Sequence, residues 1–149
     1  MSYNELAKGR FSSVNQIYFI TTIANNRVPY FNSFFIARKV VYEMRYLHDE
    51  DFVRSIAWVL MPDHLHWIFQ LGEKQDLPSV MKLFKGRSAK RVNEILNRRG
   101  SIWQSGYYDH ALREHEDIQK ISRYMVANPL RSGLVDKIGD YPLWDAFWL

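Results

Sequence analysis

The sequence predicts an α+β sandwich, in which helices pack on a central antiparallel sheet. Strand-like and helical segments alternate along the chain, and no internal repeat or Pro/Gly/Ser-rich linker divides them. Of the 149 residues, 47% are hydrophobic and 15% aromatic, which suits one well-packed core. We therefore expect residues 1–149 to form a single domain.

The first half of the chain predicts a strand, a helix and a strand hairpin. Residues 15–24 are rich in β-branched and aromatic side chains, as buried strands are. Residues 33–50 repeat apolar side chains at helical spacing, and Ser33 is a candidate N-cap. Residues 52–61 and 64–71 are both strand-like, and only a Pro-Asp turn separates them, which favours an antiparallel hairpin.

The second half predicts a long helix, a short strand and a last helix. Residues 76–100 keep helical spacing, with Gly86 as a point where the helix can bend and Gly100 as its stop. Residues 106–113 can form a short strand, and residues 114–128 a helix that the following proline ends. The order β-α-β-β-α-β-α is typical of a ferredoxin-like sandwich.

The composition excludes several classes of protein. Because the chain has no cysteine, it has no disulfide, thiolate metal site or thiol nucleophile, and any metal must be held by nitrogen and oxygen. No segment approaches the 18 or so apolar residues of a membrane span, and the first residues lack the apolar run of a signal peptide. We expect a soluble cytoplasmic protein without membrane contact.

Two histidines, His64 and His66, stand one residue apart in the otherwise apolar run VLMPDHLHWIFQ. In a strand, side chains two apart leave the same face with Cα atoms about 6.6 Å apart, so both rings can bind one ion. Two imidazoles leave a divalent ion open to a third protein ligand and a phosphate oxygen, as phosphoryl transfer requires. The alternative is one exposed ring and one ring hydrogen-bonded in the core. The glutamate and cysteines of the zinc deaminase signature are missing, which excludes that class.

Tyr124 and Asn128 are four residues apart and would share one side of the last helix, flanking its apolar stripe. A phenol and an amide there can face a site on the strands, and tyrosine can act as a covalent nucleophile. The alternatives are a tyrosine packed at the core boundary and an asparagine that caps the helix.

A basic segment spans residues 82–99 and carries seven basic residues against one acid, more than the formal net charge of +4 for the whole chain. It is either a solvated helix face or a surface that follows a phosphate backbone. Four aromatic residues near it can stack on unpaired bases, although at least half of them are expected in the core. Of these aromatic residues, the ones in the segment WQSGYYDH are the best candidates to lie outside the core. The seven basic residues are Lys82, Lys85, Arg87, Lys90, Arg91, Arg98 and Arg99, and the four aromatic residues are Trp67, Trp103, Tyr107 and Tyr108.

The chain resembles one known family from about residue 10 to residue 144, and three segments carry the resemblance. MPDHLHWIF, IWQSGYYDHALR and ISRYMVANPLRSGLV, in this order and separation, resemble the REP-associated tyrosine transposases, a bacterial branch of the single-tyrosine HUH transposases. REP denotes a repetitive extragenic palindrome. The resemblance implies that His64 and His66 bind a divalent ion, Mg²⁺ or Mn²⁺, with Asn128 as third ligand, and that Tyr124 is the nucleophile. Insertion-sequence relatives carry glutamine where this chain has Asn128.

The reaction implied by the resemblance is cleavage and rejoining of single-stranded DNA beside REP-type hairpins. The tyrosine hydroxyl attacks a phosphodiester, a 5′-phosphotyrosine forms and a 3′-hydroxyl leaves. The implied partner is single-stranded or hairpin DNA, so we expect a nucleoid-associated protein, as a monomer or a homodimer. The candidate DNA-binding residues are Arg10, Lys82, Lys85, Arg87, Lys90, Arg91, Trp103, Tyr107 and Arg131.

Two other functions stay open. One is a metal-dependent nuclease that activates water at the same ion, which would form no covalent adduct with DNA. The other is a non-catalytic ferredoxin-like module that grips nucleic acid, although the chain lacks the RNP1 aromatic motif of one such class.

Overall fold

The computed structural model describes residues 13–146, whose strands form one antiparallel sheet. The spatial order β4-β1-β3-β2 is that of a ferredoxin-like fold, and β5 pairs outside β2, so the predicted fold class is confirmed. The strands are β1 (Ile17–Ile23), β2 (Val53–Met61), β3 (His64–Leu71), β4 (Tyr108–Ala111) and β5 (Trp144–Ala146).

Helices cover the two faces of this sheet unequally. The long helices α1 and α2 bury their apolar sides against one face and form the larger core. The shorter α3 packs on β2 and β5 at the opposite face, through Met125 and Val126. The helices are α1 (Phe34–Asp49), α2 (Leu77–Leu96), α3 (Ile118–Val126) and α4 (Asn128–Arg131).

The alternation of side chains along β3 separates the larger core from the histidines. Leu65, Trp67 and Phe69 are buried against α1 and α2. His64 and His66 leave the strand on the opposite face, because successive residues of a strand point to opposite sides. That face is the one on which α3 packs.

Helix α2 differs from its prediction at two points. It runs through Gly86 without interruption, and it ends at Leu96 instead of near Gly100. Asn97 provides the stop, since its backbone adopts the left-handed conformation with φ of 50°. Asparagine tolerates this conformation better than most residues, so it can replace glycine at the end of a helix.

The last predicted helix, residues 114–128, is shorter in the structure and divided in two. Helix α3 begins where the Asp117 carboxylate accepts a hydrogen bond from the backbone N–H of Lys120, at 3.1 Å. It ends at Val126, and Pro129 lies in the first turn of α4, where its missing N–H is not needed. The prediction that Asn128 lies in the last turn of the helix that carries Tyr124 is therefore wrong, since Asn128 begins α4.

Strand β5 was not predicted, because three residues are too few to show a periodic pattern. It pairs with Ala57, Trp58 and Val59 of β2. No helix among the described residues is both long enough and apolar enough to cross a membrane.

Candidate active site

His64 and His66 lie together at the start of β3, next to the two-residue turn that joins it to β2. Their ring centroids are 4.8 Å apart, and the ring planes are inclined at 79°. The strand geometry thus brings both imidazoles to one place, as the spacing in the sequence predicted.

The His64 ring is oriented by Asp63. Its Nδ1 lies 2.7 Å from Oδ1 of Asp63, whose other oxygen accepts a hydrogen bond from Arg27 at 3.3 Å. Burial tends to raise the pKa of Asp63, but the hydrogen bonds and charges of His64 and Arg27 outweigh it and lower the pKa. An ionised carboxylate can only accept, so Nδ1 of His64 donates to it, and in the neutral ring Nε2 is then the acceptor.

The His66 ring is partly buried and contacts β1. Its Nδ1 lies 2.8 Å from the hydroxyl oxygen of Thr21, which stands opposite it in the sheet register. Burial, followed by the charges of His64 and Arg131, lowers the pKa of His66 to about 4. The ring is therefore neutral at neutral pH, the form in which imidazole binds a metal ion.

This pair of nitrogens is suited to a divalent ion. In both rings Nδ1 has a side-chain partner and Nε2 has none among the described residues, the arrangement that outer partners give to metal-binding histidines. Within residues 13–146, no three His, Cys, Asp or Glu side chains are grouped to hold an ion. A third ligand from this part of the chain would thus be of another type. Asn128, the predicted third ligand, is half-buried at the start of α4.

Tyr124 lies on α3 and is 67% exposed. The guanidinium carbon of Arg131 stands 3.7 Å above the centre of its ring, and the same guanidinium donates to the backbone carbonyl of Tyr124. Arg131 is also close enough to His66 for its charge to lower the pKa of that imidazole. The phenol, the guanidinium and the histidine pair thus share one face of the sheet.

A contact between His110 and Glu116 joins β4 to the segment that leads into α3. Nε2 of His110 lies 3.0 Å from the Glu116 carboxylate, which also accepts from the backbone N–H of Arg113. The Arg113 hydrogen bond, and then that of His110, lower the pKa of Glu116. This contact links β4 to the turn that precedes α3.

Two residues of the site were not identified from the sequence, and a third was assigned a different role. Asp63 precedes the histidine pair directly and had been assigned only to the turn, although a carboxylate beside a histidine is a usable signal. Thr21 gave no signal, because only the pairing of β1 with β3 places it beside His66. Arg131 was predicted to contact DNA, whereas its stacking on Tyr124 depends on the break between α3 and α4.

The predicted basic surface of α2 contains two kinds of cation. Lys82 and Lys90 are exposed. Arg87 and Arg91 instead bind the two carboxylate oxygens of Glu43 on α1. The Glu43 side chain is only 1% exposed. They neutralise a buried charge, so the part of this surface that is free to bind phosphate is smaller than the sequence suggested.

The remaining candidates for DNA contact are largely enclosed. Trp103, at 5% exposure, donates its indole N–H to Ser88 and packs in the core, so the prediction that its group lies outside the core is wrong for this ring. Tyr107 is also buried, and Nζ of Lys85 donates to the carbonyls of Gln104 and Gly106. Arg10 lies outside the described residues.

Comparison with known proteins was made by sequence and by fold. A family model described as "Transposase IS200 like" matches residues 12–128. A REP-associated tyrosine transposase of Escherichia coli is 31% identical over 88 residues, which are 58% of this chain and 50% of that protein. A Haemophilus influenzae protein, provisionally given the same name, is 26% identical over 141 residues, covering 85% of this chain and 77% of its own length.

One solved structure has the same fold over most of its length. It is a REP-associated tyrosine transposase bound to a REP hairpin, with a TM-score of 0.74 and 24% identity. The similarity covers 91% of this chain and 79% of that one.

Proposed function

The chain belongs to the IS200-like transposase family, and we propose that it is a metal-dependent transposase that cleaves and rejoins single-stranded DNA through Tyr124. The observation that carries the proposal is the position of α3 on the histidine face of the sheet, where the Arg131 guanidinium stacks on the Tyr124 ring and its charge helps to lower the pKa of His66. In this proposal the described fold is one catalytic domain.

His64 and His66 would hold the divalent ion, Mg²⁺ or Mn²⁺, and Asn128 would be its third protein ligand. When bound, the ion acts as a Lewis acid on the scissile phosphate. The protein fixes the two ring orientations beforehand through Asp63 and Thr21. Neutral His66 also adds no positive charge that would compete with the ion.

Tyr124 would supply the nucleophile. Its oxygen forms a bond to phosphorus while the bond from phosphorus to the 3′-oxygen breaks, which gives a 5′-phosphotyrosine and a free 3′-hydroxyl. The phenol loses one proton and the leaving oxygen gains one, so the step is balanced without a nucleotide cofactor. Attack by a DNA 3′-hydroxyl on the phosphotyrosine reverses the step and rejoins DNA.

The proposed substrate is single-stranded DNA beside a REP-type hairpin. The REP hairpin in the similar solved structure supports this partner. The exposed cations Lys82 and Lys90 offer contacts for its backbone, and Arg10 is a further candidate. The protein would act as a monomer or as a homodimer.

Trapping of a covalent adduct tests the proposal. A REP-type hairpin oligonucleotide with single-stranded flanks, labelled at its 3′ end, is incubated with the protein and Mn²⁺. The label should become linked to the Tyr124 peptide, as read by mass spectrometry, and Tyr124→Phe should abolish the adduct. Tyr42→Phe is the matched control, because Tyr42 is also an exposed helical tyrosine with an arginine over its ring.

Two results would refute this function. Cleavage that survives Tyr124→Phe without an adduct would indicate a nuclease that uses activated water. Binding of the hairpin with no cleavage, whether Mn²⁺ is present or absent, would indicate a non-catalytic binding module.

A further inference from the structure

A cleft of about 450 Å³ lies between α2 and the segment of residues 101–107. Its volume falls within the range of about 300 to 1,000 Å³ that holds small organic groups. The wall is mostly apolar and includes Met81, Ile102, Trp103 and Tyr107. The candidate active site does not include this cleft.

Gly86 forms part of the cleft wall in the middle of α2. Glycine weakens a helix relative to alanine, so a glycine there needs a reason. Packing within the protein gives none, because a Cβ at this position would meet no atom within 4 Å. A group that approaches the helix backbone from outside would explain the missing side chain.

The charges around the cleft favour an anionic ligand. Both of its charged lining residues, Lys82 and Lys85, are lysines. Lys85 is fixed by the carbonyls of Gln104 and Gly106, whereas Lys82 is exposed. An apolar group bound next to a phosphate matches the lining of this cleft.

The cleft starts at the same end of the sheet as the histidine pair. The backbone N–H of Gln104 donates to the carbonyl of Ile23 at 2.7 Å, and Ile23 stands opposite His64 in the sheet register. A DNA strand that passes over this end of the sheet can therefore reach both the cleft and the histidine pair.

We propose that this cleft binds one unpaired base of the DNA, which packs against Gly86 while Lys82 pairs with the adjacent phosphate. This inference rests on the proposed function, since it assigns a binding place for part of the same substrate.

Filling the cleft tests the proposal. Gly86→Leu should weaken binding of the flanked REP-type hairpin by at least about fivefold, the lower bound for loss of one stacked base. Its affinity for a blunt duplex of the same stem should be unchanged. Gly86→Ala should raise the melting temperature by a few degrees, because alanine favours the helix. Gly139→Ala is the control for these substitutions, since a Cβ at Gly139 also meets no atom within 4 Å but Gly139 does not line the cleft. Its affinity for the flanked hairpin should equal that of the wild type.

Abasic residues placed one at a time in the unpaired DNA locate the bound base. At one position the abasic change should weaken binding to the wild-type protein but not to Gly86→Leu, because both changes remove the same contact. The inference is overturned if Gly86→Leu binds the flanked hairpin normally, or if it weakens the hairpin and the duplex equally. Failure of the proposed function is separate, since it appears as a wild-type protein that binds the hairpin but forms no adduct.

Discussion

At the scale of single residues, the candidate site depends on which nitrogen of each imidazole stays open. Asp63 and Thr21 occupy Nδ1 of His64 and His66, so Nε2 of each ring is the nitrogen that can bind an ion. The sequence predicted the two rings on one face, because strand periodicity is local. It could not predict Thr21, which is 45 residues from His66 along the chain.

Arg131→Ala should slow adduct formation by about tenfold at saturating DNA. The stacking of the guanidinium on Tyr124 and its hydrogen bond to the tyrosine carbonyl together contribute about 1.5 kcal/mol to ordering of the ring. Arg131→Lys, which keeps the charge but loses the planar stack, should restore only part of the rate. Single-turnover kinetics with the 3′-labelled hairpin measure both.

Arg123→Ala, an exposed arginine of α3, is the control for that experiment. A loss of hairpin affinity with an unchanged rate at saturation would instead make Arg131 a phosphate contact, contrary to the positioning role.

Lys85 gives the stability of the protein a pH dependence that a single substitution can isolate. Burial lowers the pKa of Lys85 to about 8, whereas 10.5 is its ordinary value. Between these values the unfolded chain binds more protons, so the contribution of Lys85 to stability rises from pH 8 to 10.5.

The difference in unfolding free energy between wild type and Lys85→Met should therefore shift in favour of wild type across this window. Urea denaturation at several pH values measures the shift, and subtracting the variant removes the titration of other groups. A difference that does not change with pH would contradict the lowered pKa.

At the scale of elements, α1 and α2 are joined by a buried carboxylate. Glu43 of α1 binds Arg87 and Arg91 of α2, and their guanidinium groups stack on Tyr46 and Tyr42 of α1. Local spacing shows that α2 is basic but cannot show which of its cations face another helix. This is why the predicted DNA surface was broader than the free cations allow.

Arg87→Met should lower the free energy of unfolding by about 1 to 3 kcal/mol, because it removes a charged hydrogen bond from a buried carboxylate. Lys90→Met, on the exposed side of the same helix, should change it by less than about 0.5 kcal/mol. Urea denaturation compares the two. Equal losses of stability in the two variants would show that the hydrogen bond from Arg87 to Glu43 does not stabilise the fold.

The ends of elements were the least predictable part of the fold. Side-chain caps set the limits of α2 and α3, through Asp76 and Asp117, and Asn97 ends α2. The break after Val126 had the largest effect, since it moves Asn128 from the tyrosine helix into α4. A pattern of apolar spacing continues across such a break and does not reveal it.

At the scale of the whole molecule, the two sheet faces have different roles. One is covered by α1 and α2 and contains most of the core, while the other is covered by α3 only in part and carries the histidines. The order of elements was predictable because each strand and helix has its own periodicity. The register that aligns Thr21 with His66, and the position of β5, depend on long-range pairing.

The formal net charge of +4 makes the salt dependence of affinity a test of the proposed DNA binding. The logarithm of hairpin affinity should fall linearly with the logarithm of salt concentration. Lys82→Gln and Lys90→Gln should each reduce the steepness by about 0.7 to 0.9, the effect of losing one phosphate contact. Lys137→Gln, an exposed lysine outside the basic segment, is the control and should leave the slope unchanged. An unchanged slope in the first two variants would exclude these lysines as backbone contacts.

Strand β5 also prevents β2 from pairing with a second copy of the chain. It covers the middle of β2, where Ala57, Trp58 and Val59 would otherwise present unpaired N–H and C=O groups along an apolar edge. Such an edge is a template on which a second chain can add a strand. We expect a chain shortened before Trp144 to aggregate during folding, even though every residue of the candidate site would still be present.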